Sequence, residues 1–241
     1  MNVIVNVSRK KGPLYLQIKN ILKDRIFHGV YPIGENIPPE PQLENEFDVS
    51  KITVRNSIKE LVQEGYLEKK SGKGTKVIRN TSTSKLSKGK RFTEILVGEG
   101  HKIHKHLVQA EVVSNEEGTE QYRLFGECCL RIERLYYFDD MPFIHYTHFL
   151  TMQMEDIELS DLNVQSLYGL IEEQDINLDK FRDEFAAVLA PPRLGEILCV
   201  KTGTPLLKRL RYSYDETGKI IEYSEGYYHT EMQHYVVNYD L

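Results

Sequence analysis

The segment Asn80 to Arg91, NTSTSKLSKGKR, has almost no apolar side chain and is rich in hydroxyl and cationic ones. A stretch of that composition contributes nothing to a packed core and reads as a flexible linker. It divides the chain into residues 1–79, a linker at 80–91, and a second domain at 92–241. The length agrees, since 241 residues are many for one compact domain and comfortable for two.

Charge divides at the same place. Residues 1–91 carry 18 Lys and Arg against 9 Asp and Glu, a net of +9; the remainder carries 13 against 27, a net of -14, giving -5 overall. A basic head on an acidic body points to a nucleic-acid partner at one end, with the body's charge repelling DNA and confining contact to the head. No apolar run approaches the ~18 residues of a membrane span, and the N-terminus lacks the pattern of a secretory signal. The expectation is a cytoplasmic protein that does not engage membranes. Cys128, Cys129 and Cys199 have no metal-ligand spacing and suit reduced structural thiols.

Within the head, Leu14, Ile18, Leu22 and Ile26 recur every four residues, one stripe of a helix that Gly29 closes. Pro39 suits a first helical turn, with Glu40 at the favourable end of the dipole, and predicts a short helix running to about Phe47. Ser50 is a good N-cap for a third helix with Val54, Ile58, Leu61 and Val62 on its buried stripe. Lys51, Arg55 and Lys59 then fall on another face. The stretch after Gly65 reads as a basic hairpin, with Gly72 and Gly74 permitting a tight tip. Three helices and a basic hairpin is the order of a winged helix-turn-helix.

In that architecture the N-terminal part of the third helix enters the major groove. The candidate DNA-binding residues are Ser50, Lys51, Thr53, Arg55 and Asn56 on the helix and Lys70, Gly72 and Lys73 on the hairpin. The alternative reading of Lys51, Arg55 and Lys59 is an ordinary solvated face; the basic hairpin behind them weighs against it.

After the linker, six segments read as strands, several with period-two alternation: LVQAEVVS, CCLRIERLYYF, PFIHYTHFLT, DKFRDEFAAVLA, PLLKRLRYSYD and KIIEYSEGYYH. Short helices are expected at TEQYRLFG, SLYGLIEEQ and PPRLGEILCV, and a hairpin turn at Gly218. Long strands with few helices predict an α+β domain built on an antiparallel sheet.

The head, from PLYLQI through GVYPIGENIPPE and FDVSKITVRNSIKELVQEGYL to GKGTKV, resembles the GntR family of bacterial regulators. The family usually has serine at position 39 and arginine at 51, where this chain has Pro39 and Lys51. Lysine keeps the charge but lacks the bidentate fork that reads guanine, so the operator is expected to differ from the family's usual one. The body, through RFTEIL, RIERLYYFDDMPFIHY, SLYGLIEE, DEFAAVLAPP and the segment from LCVKTG to GYY, resembles the UTRA effector domain of the HutC subfamily, which shares a sheet fold with chorismate lyase.

The resemblance implies a transcription regulator that binds operator DNA and responds to a small metabolite, most often a sugar phosphate; a repressor is the expectation, with the sign of control set by where the operator sits, and a homodimer is expected because one small head offers few base contacts and two-fold symmetry doubles them. It implies no cofactor, no metal and no enzyme activity. A phosphate needs hydrogen-bond donors and positive charge. The matched positions are Thr93, Arg134, Ser166 and Tyr168, and the candidate effector set adds Tyr136, Glu184, Glu222 and Tyr227. Two positions depart from the family: a second basic residue is replaced by Tyr136 and a sugar-reading glutamate by Tyr146, which leaves the sugar open.

His101, His104 and His106 lack a companion ligand and read as loop histidines rather than a zinc site. Two other functions remain open on the sequence. One is a lyase-like enzyme, for which no nucleophile elbow or phosphate loop is present. The other is a constitutive DNA-binding dimer without an effector.

Overall fold

The computed structural model describes residues 7–8, 12–80, 97, 101, 103–154, 157, 162 and 166–236. The chain forms two compact units, one around the head and one around the body. All of the expected linker except its first residue, Asn80, which is buried, lies outside the described residues.

The head follows from its apolar spacing. Helix α1 spans Leu14–Phe27, α2 Glu40–Phe47 and α3 Lys51–Gln63. Pro13 and Pro39 stand at the N-caps of the first two, where a missing N–H costs nothing. Ser50 caps the third, its Oγ accepting from Thr53 N. Ile18, Leu22 and Ile26 of α1, Leu43 and Phe47 of α2, and Val54, Ile58 and Leu61 of α3 converge with Tyr66, Leu67 and Val77 in one core. Each such aliphatic side chain stabilises the fold by about 1.5–3 kcal/mol on burial. Strands β1 (Leu67–Lys70) and β2 (Gly74–Val77) form the hairpin. Residues 34–37 run along β2, with Ile37 N donating to Thr75 O and Val77 N to Glu35 O, so the hairpin has a third edge.

The body is a six-stranded sheet in the order β3-β4-β5-β8-β7-β6. The strands are β3 (Ile103–Ser114), β4 (Cys128–Phe138), β5 (Met141–Leu150), β6 (Leu178–Leu189), β7 (Pro205–Asp215) and β8 (Ile220–Tyr228). Helix α4 (Glu120–Phe125) precedes β4, α5 (Leu167–Glu173) precedes β6, and α6 (Pro192–Leu198) joins β6 to β7. Asp139 and Asp140 both take positive φ in the two-residue β4–β5 turn, the conformation that matches strand twist. Gly218 takes φ +83° in the β7–β8 turn. The α+β architecture expected from the sequence is the one observed.

Register decides which side chains share a face, because directly opposed residues of antiparallel strands project to the same side. One row across the sheet runs Arg134, Tyr146, Gly226, Arg209, Phe185, and the next runs Ile132, His148, Ser224, Arg211, Asp183. Helix α5 packs on this face, its Leu167, Leu170 and Ile171 joining Leu130 and Ile132. Helix α6 packs on the other, its Leu194 and Leu198 meeting Leu135 and Leu206. Gly226 is required where it stands, since a Cβ there would collide with the ring of Tyr146.

Candidate functional site

On the head, α3 presents Lys51, Ile52, Arg55 and Asn56 to solvent, with Val54 and Ile58 directed into the core. Ser50 and Thr53 are engaged with each other, their hydroxyl oxygens 2.9 Å apart. Lys70 is exposed and pairs with Glu68 at 2.9 Å. Gly72, at φ +73°, forms the hairpin tip with open space where a side chain would be, and the exposed Lys73 follows. Asn36 Nδ2 donates to Lys73 O at 3.0 Å and fixes the tip.

Glu40, in the first turn of α2, ties this surface together. It accepts from Arg55 Nε at 2.8 Å and from Lys69 Nζ at 2.6 Å. Hydrogen bonds from Lys69 and Arg55 hold its carboxyl below the usual carboxylate range. One carboxylate therefore aligns a cation of the helix with a cation of the hairpin while both stay more than half exposed. Exposed pairs contribute only about 0–1 kcal/mol to stability, so the effect of Glu40 is on side-chain placement.

On the α5 face of the body, polar groups lie where an apolar layer would be ordinary. Arg134, only 1% exposed, donates through Nη2 to Leu162 O at 2.6 Å, and its Nε has no partner among the described residues. His148 is hydrogen-bonded through Nδ1 to Glu222 at 2.8 Å, and Ser213 also donates to that carboxylate. Burial pushes Glu222 up, but the bonds from His148 and Ser213 outweigh it and hold the carboxyl below its ordinary value. Burial pushes the His148 imidazole down. A neutral His148 thus donates Nδ1–H to an ionised Glu222, which leaves Nε2 as an acceptor. Arg211 binds Asp183 bidentately at 2.7 Å through both nitrogens and reaches the Tyr168 hydroxyl at 3.4 Å. The Tyr136 ring meets Tyr146 edge-on.

A second cluster occupies the α6 face. Glu133, buried on β4, accepts from Arg131 at 2.8 Å and Arg193 at 3.3 Å, and bonds to His145 Nε2 at 2.7 Å. Burial pushes His145 down as well. In the unfolded chain both histidines regain the ordinary value near 6.5 and take up protons there first. Thermal stability is therefore expected to fall as pH drops from about 7.5 to about 5.5, with His148→Gln flattening that dependence. A melting temperature equally steep in the variant would mean that His148 does not contribute.

The family pattern described as "Bacterial regulatory proteins, gntR family" matches residues 14–77, and that of the UTRA domain matches residues 98–234. The chain belongs to the GntR family. It is 30% identical over 165 residues to the uncharacterized HTH-type transcriptional regulator YurK of Bacillus subtilis (strain 168), covering 67% of this chain and 68% of that one. It is 23% identical over 222 residues to the mannosyl-D-glycerate transport/metabolism system repressor MngR of Escherichia coli (strain K12), covering 91% and 92%. PhnF from Mycobacterium smegmatis shares the fold, with a TM-score of 0.51 at 24% identity over 85% of this chain and 91% of that one. The protein is thus a DNA-binding transcription regulator with a winged helical head and an effector-type body.

In this GntR-family regulator the structure brings together Arg134, Tyr136, Tyr168 and Glu222 on one side of the sheet. Ser166 is half-buried and immediately precedes α5; Thr93 lies outside the described residues. Glu184 and Tyr227 are not brought to that site. Register puts Glu184 opposite Leu210 and Tyr227 opposite Lys208, on the α6 face, where Glu184 pairs with Arg182 and Tyr227 packs against the α6 cluster. His104 and His106, expected in a loop, lie on β3 and share one exposed face, His104 bonding to Asp140 at 2.8 Å. Among the described residues no group of His, Cys, Asp or Glu could hold a metal, and no described helix is long and apolar enough to cross a membrane.

Sequence reasoning missed His148, Arg209 and Arg211 on the α5 face and Glu40 on the head. Alternation in PLLKRLRYSYD does put Arg209 and Arg211 on a common side. Nothing local shows that this side is the one carrying Arg134.

Proposed function

We propose that this regulator is a cytoplasmic homodimeric repressor in which residues 1–79 bind the operator, residues 80–91 link the two domains, and residues 92–241 dimerise and bind a small phosphorylated metabolite. DNA contact is assigned to Lys51, Arg55 and Asn56 on α3 and to Lys70, Gly72 and Lys73 on the hairpin, with Ser50 and Thr53 capping the helix at the groove. Effector contact is assigned to Arg134, Tyr136, Tyr168 and Glu222, with Ser166 and Thr93 joining through the family resemblance.

The observation that carries the effector reading is Arg134. A guanidinium stays charged at every physiological pH, and a buried charge is normally paired. Arg134 is buried on a polar sheet face with a carbonyl as its one described hydrogen-bond partner and its Nε idle. A phosphate oxygen supplies the missing anion. The protein catalyses no reaction in this reading: the Ser213 hydroxyl donates to Glu222 but is fully buried and serves to hold that carboxylate; turnover of a bound sugar phosphate would restore the lyase-like alternative.

The test is calorimetry on the whole protein with a panel of sugar phosphates and their dephosphorylated counterparts, each with and without operator DNA. Phosphates are expected to bind and the neutral sugars not. Operator is expected to weaken effector binding by the same factor by which effector weakens operator binding, about 5- to 150-fold. Equal affinity for sugars and their phosphates sinks the phosphate assignment. Effector affinity unchanged by operator sinks the control mechanism, because a ligand that binds both states equally shifts nothing.

A further inference from the structure

Arg209 is a second buried arginine on the effector face, and its surroundings differ from those of its neighbour on the same strand. Arg211 has its counter-ion, with Asp183 accepting two hydrogen bonds. Arg209, 8% exposed, donates to two phenols instead: Nη1 to Tyr235 at 3.0 Å and Nη2 to Tyr146 at 2.5 Å. Its Nε is buried without a partner among the described residues. Burial pushes the Tyr146 phenol up, so it serves Arg209 as a neutral hydroxyl and not as an anion; the Tyr228 phenol, bonded to Tyr146, is pushed up by burial as well. Removing a cation from water without an anion beside it costs several kcal/mol, and hydroxyl partners recover only part of that.

Position completes the argument. Arg209 and Arg134 stand on one row of the sheet, separated by Tyr146 and Gly226. Three strand steps of ~4.8 Å put their Cα atoms ~14 Å apart, and the imidazole of His148, on the same face, is influenced by the charge of each. On β5, which lies between the strands of the two arginines, His148 in the adjacent row offers Nε2, an acceptor with no described donor. Across the face the idle groups therefore alternate: donor at Arg134, acceptor at His148, donor at Arg209.

We propose that the effector carries a second acidic group, a carboxylate held by Arg209, at the opposite end from the phosphate held by Arg134, with a hydroxyl between them donating to His148. The ligand class is a phosphorylated sugar acid rather than a neutral sugar phosphate. A carboxylate fits because one guanidinium lacking a counter-ion among the described residues balances a single negative charge, and its Nε and the second N–H of Nη2 form the side-on fork that a carboxylate fills. This inference rests on the phosphate reading of Arg134.

Two matched pairs of probes, each differing only in whether a CH2OH is oxidised to a carboxylate, test it: glucose 1-phosphate against glucuronic acid 1-phosphate, and sorbitol 6-phosphate against 6-phosphogluconate. Calorimetry on the full chain is expected to show the acid binding ~10-fold or more tightly than its neutral partner in at least one pair, a gain of about 1.4 kcal/mol. Arg209→Gln is expected to bring that ratio close to one. Should Arg209→Gln fail to fold by near-ultraviolet circular dichroism, Arg209→Lys, which keeps the charge but loses the fork, is expected to reduce the ratio severalfold. No acid outbinding its neutral partner in either pair overturns the inference, as does a preference that survives substitution of Arg209. Gluconate and glucuronate separate the two readings: if they bind as tightly as their phosphorylated forms and lose affinity in Arg209→Gln, the carboxylate site stands and the phosphate assignment falls.

Discussion

Arg134→Met is expected to leave the unliganded protein at least as stable as wild type while weakening binding of the proposed phosphorylated effector by about 30-fold or more. The two halves of that result have one cause. In the absence of effector the Arg134 charge is buried beside a carbonyl, with no carboxylate paired to it among the described residues, and replacing such a buried charge with an apolar side chain of similar length is often neutral or stabilising. With effector bound, loss of one partner of a desolvated charge pair costs about 2–5 kcal/mol, which is about 30-fold at the lower end. The measurements are a melting curve without ligand and a calorimetric titration with whichever sugar phosphate shifts the wild type most. If Arg134 only held the body together, the unliganded melting temperature would drop by many degrees and the remaining folded protein would bind as before; that pattern would remove Arg134 from the effector site.

The second large effect is expected at the head. Arg55→Ala should weaken operator binding by about 1–3 kcal/mol per head, and on a two-fold operator both heads lose the contact. The structure gives Arg55 a tether, Glu40, that also holds Lys69, so Glu40→Ala provides the opposite test. It removes a negative charge from the DNA-facing surface and releases two cations to seek phosphates. Non-specific affinity should rise, and the salt dependence should steepen by about one phosphate contact per head, while discrimination between operator and random DNA narrows. Fluorescence anisotropy on operator and scrambled duplexes at several salt concentrations reads all three quantities. Unchanged operator affinity in Arg55→Ala, with folding intact, would move the recognition surface elsewhere on α3.

Much of this protein is legible in its sequence, because much of it is set by local periodicity. The stripe Ile18, Leu22, Ile26 closes with Gly29, and the cap Ser50 precedes Val54, Ile58 and Leu61; these are statements about residues a turn or two apart, and the helices follow from them. Alternation likewise located each strand of the body to within a few residues, and the motifs in order along the chain identified both halves as GntR and UTRA. What alternation leaves open is parity between strands. A one-residue shift in register sends every side chain of a strand to the other face, and register depends on pairings such as Arg134 with Tyr146 or Arg209 with Gly226, which join residues far apart in the chain. For that reason Glu184 and Tyr227 read from sequence as members of the effector set and stand in the structure on the α6 face. For the same reason Arg209 and His148 pass unremarked in the sequence and lie beside Arg134 in the fold. The charge of a side chain is written in the sequence; whether a counter-ion stands next to it is decided only when distant strands meet.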